Sequence, residues 1–301
     1  MAVVVDCQVG ETPEILFESL NDSLGWEMTE SIDDIFVFTL ELTKKAGKMV
    51  RRAFNKRKCI NTKQTGQDLV TETDEAVERM LISTLKTRFP THRFIGEESI
   101  AGGKKCELTE RPTWIIDPID GTNNFVHRNT CIAISIGLAV NKEIVMGIVY
   151  NPIQEKLYSA KKGQGAYCNS EEISVSGQTE LKKALVFSEF GSHRDPKKLE
   201  IKFGNMYNII MKSHGIRAQG SAALDLCGVA CGQADAFVEY GIHVWDIAAG
   251  ILIATEAGAT VMDPNNGGKL DMMNRRILCA SSRSLAHQLR SQIKSQEFIP
   301  D

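Results

Sequence analysis

The chain has 301 residues, 43% hydrophobic and 24% charged, an ordinary globular composition with enough length for one large domain or two abutting lobes. A formal net charge of -3 gives no reason to expect nucleic acid or an anionic membrane as partner. Eight cysteines, at 7, 59, 106, 131, 168, 227, 231 and 279, form no CxxC pair, which argues against a zinc or thioredoxin-like centre. Cys131 and Cys279 lie in apolar runs and read as small core residues in a reducing compartment.

Residues 1–30 lack clean periodicity and read as an acidic amino-terminal extension. Ten acids precede the first basic residue, Lys44. That pattern fits neither a secretory signal nor a mitochondrial presequence, so a cytoplasmic location is expected. The longest apolar stretch, Cys131 to Val140, is about half the length of a membrane-spanning helix.

From Asp34, apolar residues Ile35, Phe38, Leu42, Ala46, Met49 and Ala53 recur at spacings of three and four, which predicts an amphipathic helix. Its polar side and exit carry Lys44, Lys45, Lys48, Arg51, Arg52, Lys56, Arg57 and Lys58, a solvated face rather than a nucleic-acid patch. A second helix follows Thr73, with Val77, Met80, Leu81 and Leu85 on one face and Thr71 and Asp74 fitting a capping box. The middle third reads as antiparallel sheet. Runs Ile132–Val140 and Ile144–Tyr150 flank a hairpin at Asn141-Lys142-Glu143, and Lys156–Ala160 and Gly165–Cys168 continue it.

After about residue 180 strands and helices alternate. Strands are predicted at 184–188, 216–218, 236–239, 260–262 and 277–280, and helices at 199–212, from Gly220-Ser221, at 245–257 and at 285–293. This is the rhythm of an α/β lobe. No Pro/Gly/Ser-rich linker separates the halves, so residues 31–301 are expected to form one domain of two packed lobes, about 31–180 and 181–301.

Chemistry concentrates at Trp114-Ile115-Ile116-Asp117-Pro118-Ile119-Asp120-Gly121-Thr122, where an apolar strand ends in two carboxylates. Two acids held in one turn repel each other, and a hard divalent cation is the usual compensation when no histidine or cysteine is near. Taken singly, Asp117 and Asp120 also read as turn-formers. Glu97 and Glu98 after Phe94-Ile95 read as loop charge, and Asp246 and Asp74 as helix-start acids. His127 and His243 lack metal-ligand spacing and read as structural hydrogen-bonding groups.

Together these stretches resemble the inositol monophosphatase family. Gly96-Glu97-Glu98, then Asp117-Pro118-Ile119-Asp120-Gly121-Thr122, then Trp245-Asp246 occur in the family's order, and the resemblance covers roughly residues 34 to 295. Asp68-Leu69-Val70-Thr71, Gly215-Ile216-Arg217 and Gly241-Ile242-His243 look like the animal enzymes. The resemblance implies an α/β fold, the layered αβαβα sandwich shared with the fructose-1,6-bisphosphatase superfamily, and a homodimer.

For the site it implies that Glu97, Asp117 and the Ile119 carbonyl hold one Mg²⁺, and that Asp117, Asp120 and Asp246 hold a second. A third, looser Mg²⁺ would sit near Glu97. Thr122 and Asp74 would pair beside the nucleophilic water, with Lys63 on a loop nearby. Asp120, Gly121, Thr122, Ser192, Gly220, Ser221, Ala222, Glu239 and Asp246 would line the substrate site, with Glu239 accepting from ring hydroxyls. Ser221 stands where the animal enzymes usually carry threonine, and a hydroxyl survives the change. The implied activity is Mg²⁺-dependent, Li⁺-inhibited hydrolysis of myo-inositol monophosphates by a metal-activated water, with no covalent intermediate. The same chemistry would serve galactose 1-phosphate, fructose 1,6-bisphosphate or a 3′-phosphoadenosine nucleotide. A catalytically silent metal- or phosphate-binding interaction protein is the rival from another class.

Overall fold

A computed structural model of the chain describes residues 30–56, 58, 60–62, 69–192 and 194–301. Helix α1 (Ile32–Phe54) starts just before Asp34 because Ser31 caps it, its hydroxyl accepting from Asp34 N at 3.1 Å. It buries Ile35, Leu42, Ala46 and Val50, the stripe that its sequence spacing lays on one face. A two-stranded ribbon, β1 (Ile60–Thr62) and β2 (Leu69–Thr71), leads into α2 (Glu72–Arg88). The capping box forms: Thr71 Oγ1 accepts from Thr73 N, and Asp74 Oδ2 accepts from Thr71 N at 3.0 Å. Residues 1–29 of the acidic extension and Lys63 lie outside the described residues.

A seven-stranded sheet follows in chain order. It comprises β3 (Arg93–Gly96), β4 (Thr113–Asp120), β5 (Ala133–Val140), β6 (Glu143–Asn151), β7 (Lys156–Lys161), β8 (Ala166–Cys168) and β9 (Glu171–Ile173). All neighbours are antiparallel except β3 and β4, whose connection includes the short α3 (Glu97–Ala101). The hairpin between β5 and β6 is tighter than the sequence predicts. Asn141 and Lys142, at φ 53° and 62°, make a two-residue turn, and Glu143 joins β6. Helix α4 (Thr122–His127) leaves the end of β4.

The chain then runs through β10 (Leu185–Ser188), α5 (Pro196–Ile210), β11 (Gly215–Arg217), α6 (Ala222–Ala230), β12 (Ala236–Tyr240), α7 (Val244–Glu256), β13 (Thr260–Met262), β14 (Arg276–Ala280) and α8 (Arg283–Arg290). The five strands are ordered β11-β10-β12-β14-β13, with β10 parallel to both neighbours and β14 antiparallel to both of its own. Helix α5 begins before the predicted 199 because Asp195 accepts from Lys198 N at 2.9 Å and Pro196 takes the first turn, where its missing N–H is harmless. Helix α8 ends before the predicted 293, with Ser291 at its C-cap.

These elements stack as helix, sheet, helix, sheet, helix, an α/β layered sandwich. Residues of α1 and α2 pack with Trp114, Ile116 and Ile134 on one face of the large sheet. The middle layer, α6 and α7, joins Ile115 and Val149 on the opposite face to Phe237, Ile277 and Cys279 of the small sheet. Leu285, Ala286 and Leu289 of α8 and Ile209 of α5 cover the small sheet's far side. Small residues make the middle layer possible: a Cβ on Gly147 would lie 2.6 Å from the Ala249 carbonyl oxygen, so α7 sits almost against the strand backbone. Among the described residues no helix is long and apolar enough to cross a membrane.

Candidate active site

In β4 successive side chains alternate between the outer helices and the middle layer. Trp114 and Ile116 face α1 and α2, while Ile115 faces α6 and α7, so Asp117 follows Ile115 toward the middle layer. Regular pleating would send Asp120, three residues on, to the other side. It does not, because the strand is irregular there. Asp117 pairs with Ser135 and Asp120 with Ala133, three steps on β4 against two on β5. The extra residue is a bulge, at the proline that cannot donate to the ladder. It brings both carboxylates to one place.

Asp246 arrives from the first turn of α7, and oxygens of Asp117, Asp120 and Asp246 lie within 4.8 Å of one another. Each carboxylate is anchored by a donor. Asp117 Oδ1 accepts from Ile119 N at 2.9 Å, and Asp246 Oδ2 from His243 N at 2.8 Å. Asp120 Oδ2 accepts from Ser221 Oγ at 2.5 Å and from Ala223 N at 2.8 Å, so it sits at the amino terminus of α6, where the helix dipole favours an anion. Gly121 is required at the corner: its φ is 90°, and a Cβ there would lie 2.9 Å from the carbonyl oxygens of both Cys131 and Gly220. Asn124 ties that corner to α6, its Nδ2 donating to the carbonyls of Cys131 and Gln219 at 2.8 and 2.7 Å. Cys131, expected in the core, is half-buried beside this corner, whereas Cys279 is fully buried.

Glu97 completes the acidic group from the first residue of α3. That helix is held by Glu78 of α2, whose carboxylate accepts from Glu98 N at 2.7 Å and from Ser99 N at 2.9 Å. Thr122 Oγ1 lies 3.1 Å from both Asp74 Oδ1 and the Ile119 carbonyl oxygen. Asp74 therefore serves the capping box and Thr122 at once, and the Ile119 oxygen keeps a second lone pair.

The electrostatics are one-sided. Burial pushes the Asp117 carboxyl well above its usual range, and the charges of Glu97, Asp120 and Asp246 push it further. Burial raises Asp120 to about 7 against the pull of its bonds from Ser221 and Ala223. Asp246 rises for the same reasons, burial first and then Asp120 and Glu97. Buried carboxylates gathered this closely offer oxygen donors that fit a hard divalent metal, which would replace the protons that Asp117, Asp120 and Asp246 otherwise favour.

The αβαβα frame agrees with known structures, and the sequence with a known family. The sequence pattern described as the inositol monophosphatase family matches residues 31–297. The chain belongs to the inositol monophosphatase family. It is 48% identical to human inositol monophosphatase 2 over 270 residues, which are 89% of this chain and 93% of that protein. Human inositol monophosphatase 1 is 45% identical over 268 residues, covering 89% and 96%. The solved inositol monophosphatase from Anabaena superposes with a TM-score of 0.75 at 30% identity, covering 87% of this chain and 95% of that one. The chain is accordingly a phosphoric monoester hydrolase.

The remaining predicted residues lie at the start of α6, on β12 and after β10. Ser221 caps α6 and Ala222 opens it. The Gly220 N–H is engaged by Glu189 Oε1 at 2.9 Å, and Ser221 Oγ and Ala223 N are engaged by Asp120. Glu239, on β12, is buried, and Ser192 follows Gly191, whose Cβ position is 3.5 Å from Glu239 Oε1. His243 is structural: its ring stacks on Trp245 at 4.4 Å, and Nδ1 pairs with Asp301 Oδ1 at 2.6 Å. Asp301 Oδ2 also accepts from Val244 N at 2.8 Å, which fixes the turn that carries Asp246.

Sequence reasoning missed Glu78, Glu189, Lys202, Asp225 and Asp301. Two had a signal. Glu78 falls on the apolar side of α2 with Val77, Leu81 and Leu85, and Lys202 shares the buried side of α5 with Asn205 and Ile209. A charged residue on the inward stripe of a helix marks a buried polar network.

Proposed function

We propose that this protein hydrolyses myo-inositol monophosphates to inositol and inorganic phosphate, with Mg²⁺ as cofactor and Li⁺ as inhibitor. The observation that carries the reading is the gathering of Asp117, Asp120 and Asp246 at one bulged strand end, with Glu97 beside Asp117. Glu97, Asp117 and the Ile119 carbonyl would hold one cation, and Asp117, Asp120 and Asp246 another, with a third, looser one near Glu97. Bound cations would neutralise the phosphate dianion and favour water as the nucleophile.

The chain's own groups supply aim and proton handling. Thr122 and Asp74 orient the attacking water, and Asp74 takes its proton through the Thr122 hydroxyl. The water oxygen bonds to phosphorus, the bond to the inositol oxygen breaks, and that oxygen leaves with a proton from solvent. The helix start at Ser221 and Ala222, with Ser192, would receive the phosphate and ring, and Glu239 would accept from ring hydroxyls. The same reading gives a cytoplasmic homodimer, whose assembly light scattering would check.

Phosphate release from inositol 1-phosphate with and without Mg²⁺ tests the proposal. Release only with Mg²⁺, and inhibited by Li⁺, is expected. A higher kcat/KM on galactose 1-phosphate, fructose 1,6-bisphosphate or a 3′-phosphoadenosine nucleotide would overturn the substrate assignment.

A further inference from the structure

Behind Glu239 lies a second set of buried charges. Glu239 is 8% exposed, and burial pushes its carboxyl up to about 8, against the pull of Lys202. Glu189, just beyond β10, is equally buried and receives the N–H groups of Gln219 and Gly220. Asp225, in the first turn of α6, lies against Glu189 and accepts from Gln219 Nε2 at 2.9 Å. Asp120 faces the group from β4.

The buried cation facing these acids is Lys202 on α5, 5% exposed. Its Nζ donates to the Phe190 carbonyl at 2.9 Å. A Cβ on Gly191 would sit 3.2 Å from that Nζ and 3.5 Å from Glu239 Oε1, so only the space of a glycine separates ammonium from carboxylate. Lys202, Glu189 and Glu239 line one small cavity with Ser188 and Asn205. Exposed Arg194 and half-buried Lys198 repel the ammonium, while Glu239 and Glu189 attract it. Burying an ammonium is costly, and facing carboxylates are what make it tolerable.

We infer that Lys202 is a positioning residue that sets leaving-group specificity: its ammonium holds the Glu239 carboxyl aimed at the pocket, so that the pocket selects alcohols whose neighbouring hydroxyls can donate to it. The inference rests on the inositol phosphate reading above and adds a residue outside the motifs that carry it. A carboxyl held in one orientation accepts from neighbouring hydroxyls of a polyol, whereas one free to turn presents a weaker pattern. Loss of Lys202 therefore acts on the alcohol and leaves the phosphoryl group alone.

The test compares inositol 1-phosphate with p-nitrophenyl phosphate, whose leaving group has no hydroxyls to read. Wild type, Lys202→Met, Lys202→Gln, Glu239→Gln and the Lys202→Met/Glu239→Gln double variant are assayed, with circular dichroism as a check on folding. Lys202→Met is expected to lower kcat/KM on inositol 1-phosphate by about tenfold, mainly through KM, with p-nitrophenyl phosphate within about twofold of wild type. Lys202→Gln should behave alike, and serves in its place if the Met variant does not fold. The double variant should be no worse than Glu239→Gln, since both changes remove one interaction. Equal losses on both substrates, or fully additive effects, would overturn the inference and leave Lys202 a packing residue. If wild type prefers inositol 1-phosphate and Lys202→Met keeps that preference, only this inference fails. If wild type releases phosphate from p-nitrophenyl phosphate alone, the substrate reading fails and takes the inference with it.

Discussion

Asp117 and Asp263 are equally buried, at 2% exposure each, yet their surroundings are opposite. Asp263 follows β13 and meets Arg276 of β14 through paired bonds, Nε to Oδ1 at 3.0 Å and Nη2 to Oδ2 at 2.9 Å. Burial pushes its carboxyl up, but the Arg276 hydrogen bonds win and hold it below the usual range. Asp117 meets Glu97, Asp120 and Asp246 instead, and burial and these charges push its carboxyl upward. The fold thus completes one acid with its own arginine and leaves the other incomplete. An acid that the protein compensates internally is structure; one left among other acids waits for a cation from outside.

The largest expected effect breaks the incomplete side. Asp117→Asn should lower kcat by roughly a thousandfold or more, about 4 kcal/mol of transition-state stabilisation, while the metal-free protein melts no lower than wild type. Near wild-type turnover in steady-state assays would remove Asp117 from the site. Next comes the complete side. Arg276→Met strands Asp263 and should cost about 3 kcal/mol in denaturant unfolding, with kcat/KM nearly unchanged in the folded fraction. A large catalytic loss with intact stability would reverse the comparison.

Much of the acidic site could be read from sequence because Asp117, Asp120 and Thr122 fall in one short run across the end of β4 and the start of α4, and the family pattern adds Glu97 and Asp246. Its physical cause could not. The bulge at Pro118 is visible only once β5 is paired, and without it Asp117 and Asp120 would face apart. The pocket behind Glu239 was the least legible part, since Glu189, Lys202 and Asp225 meet through three separate elements and share no motif. In the fold, the outer helices and the long hairpin followed from periodicity. Helix starts at Ile32 and Pro196 were set by capping from Ser31 and Asp195, local chemistry that a hydrophobic stripe does not contain.

A smaller effect concerns pH. Asp120 is raised to about 7 from an ordinary 3.8, so between those values the metal-free folded state holds a proton that the unfolded chain releases. Stability must then fall as pH rises through that window, with the penalty complete above it. Thermal melts in chelator should follow this slope. Saturating Mg²⁺ should flatten it and, at a hundredfold excess over Kd, add about 2.7 kcal/mol. A chelated protein whose melting point climbs from pH 5 to 7 would contradict the one-sided electrostatics. The smallest effect is Ser221→Ala, which removes both the α6 cap and a donor to Asp120. A loss of about 1 kcal/mol in stability is expected, read by the unfolding midpoint, with a modest fall in kcat/KM.

The most direct test is anomalous diffraction from crystals soaked in Mn²⁺, which substitutes for Mg²⁺ at oxygen ligands. The account predicts peaks between Glu97, Asp117, Asp120 and Asp246 and none beside Asp263, whose arginine already fills the place of a cation. An acid cluster that stays without a peak while Mn²⁺ supports turnover would contradict it.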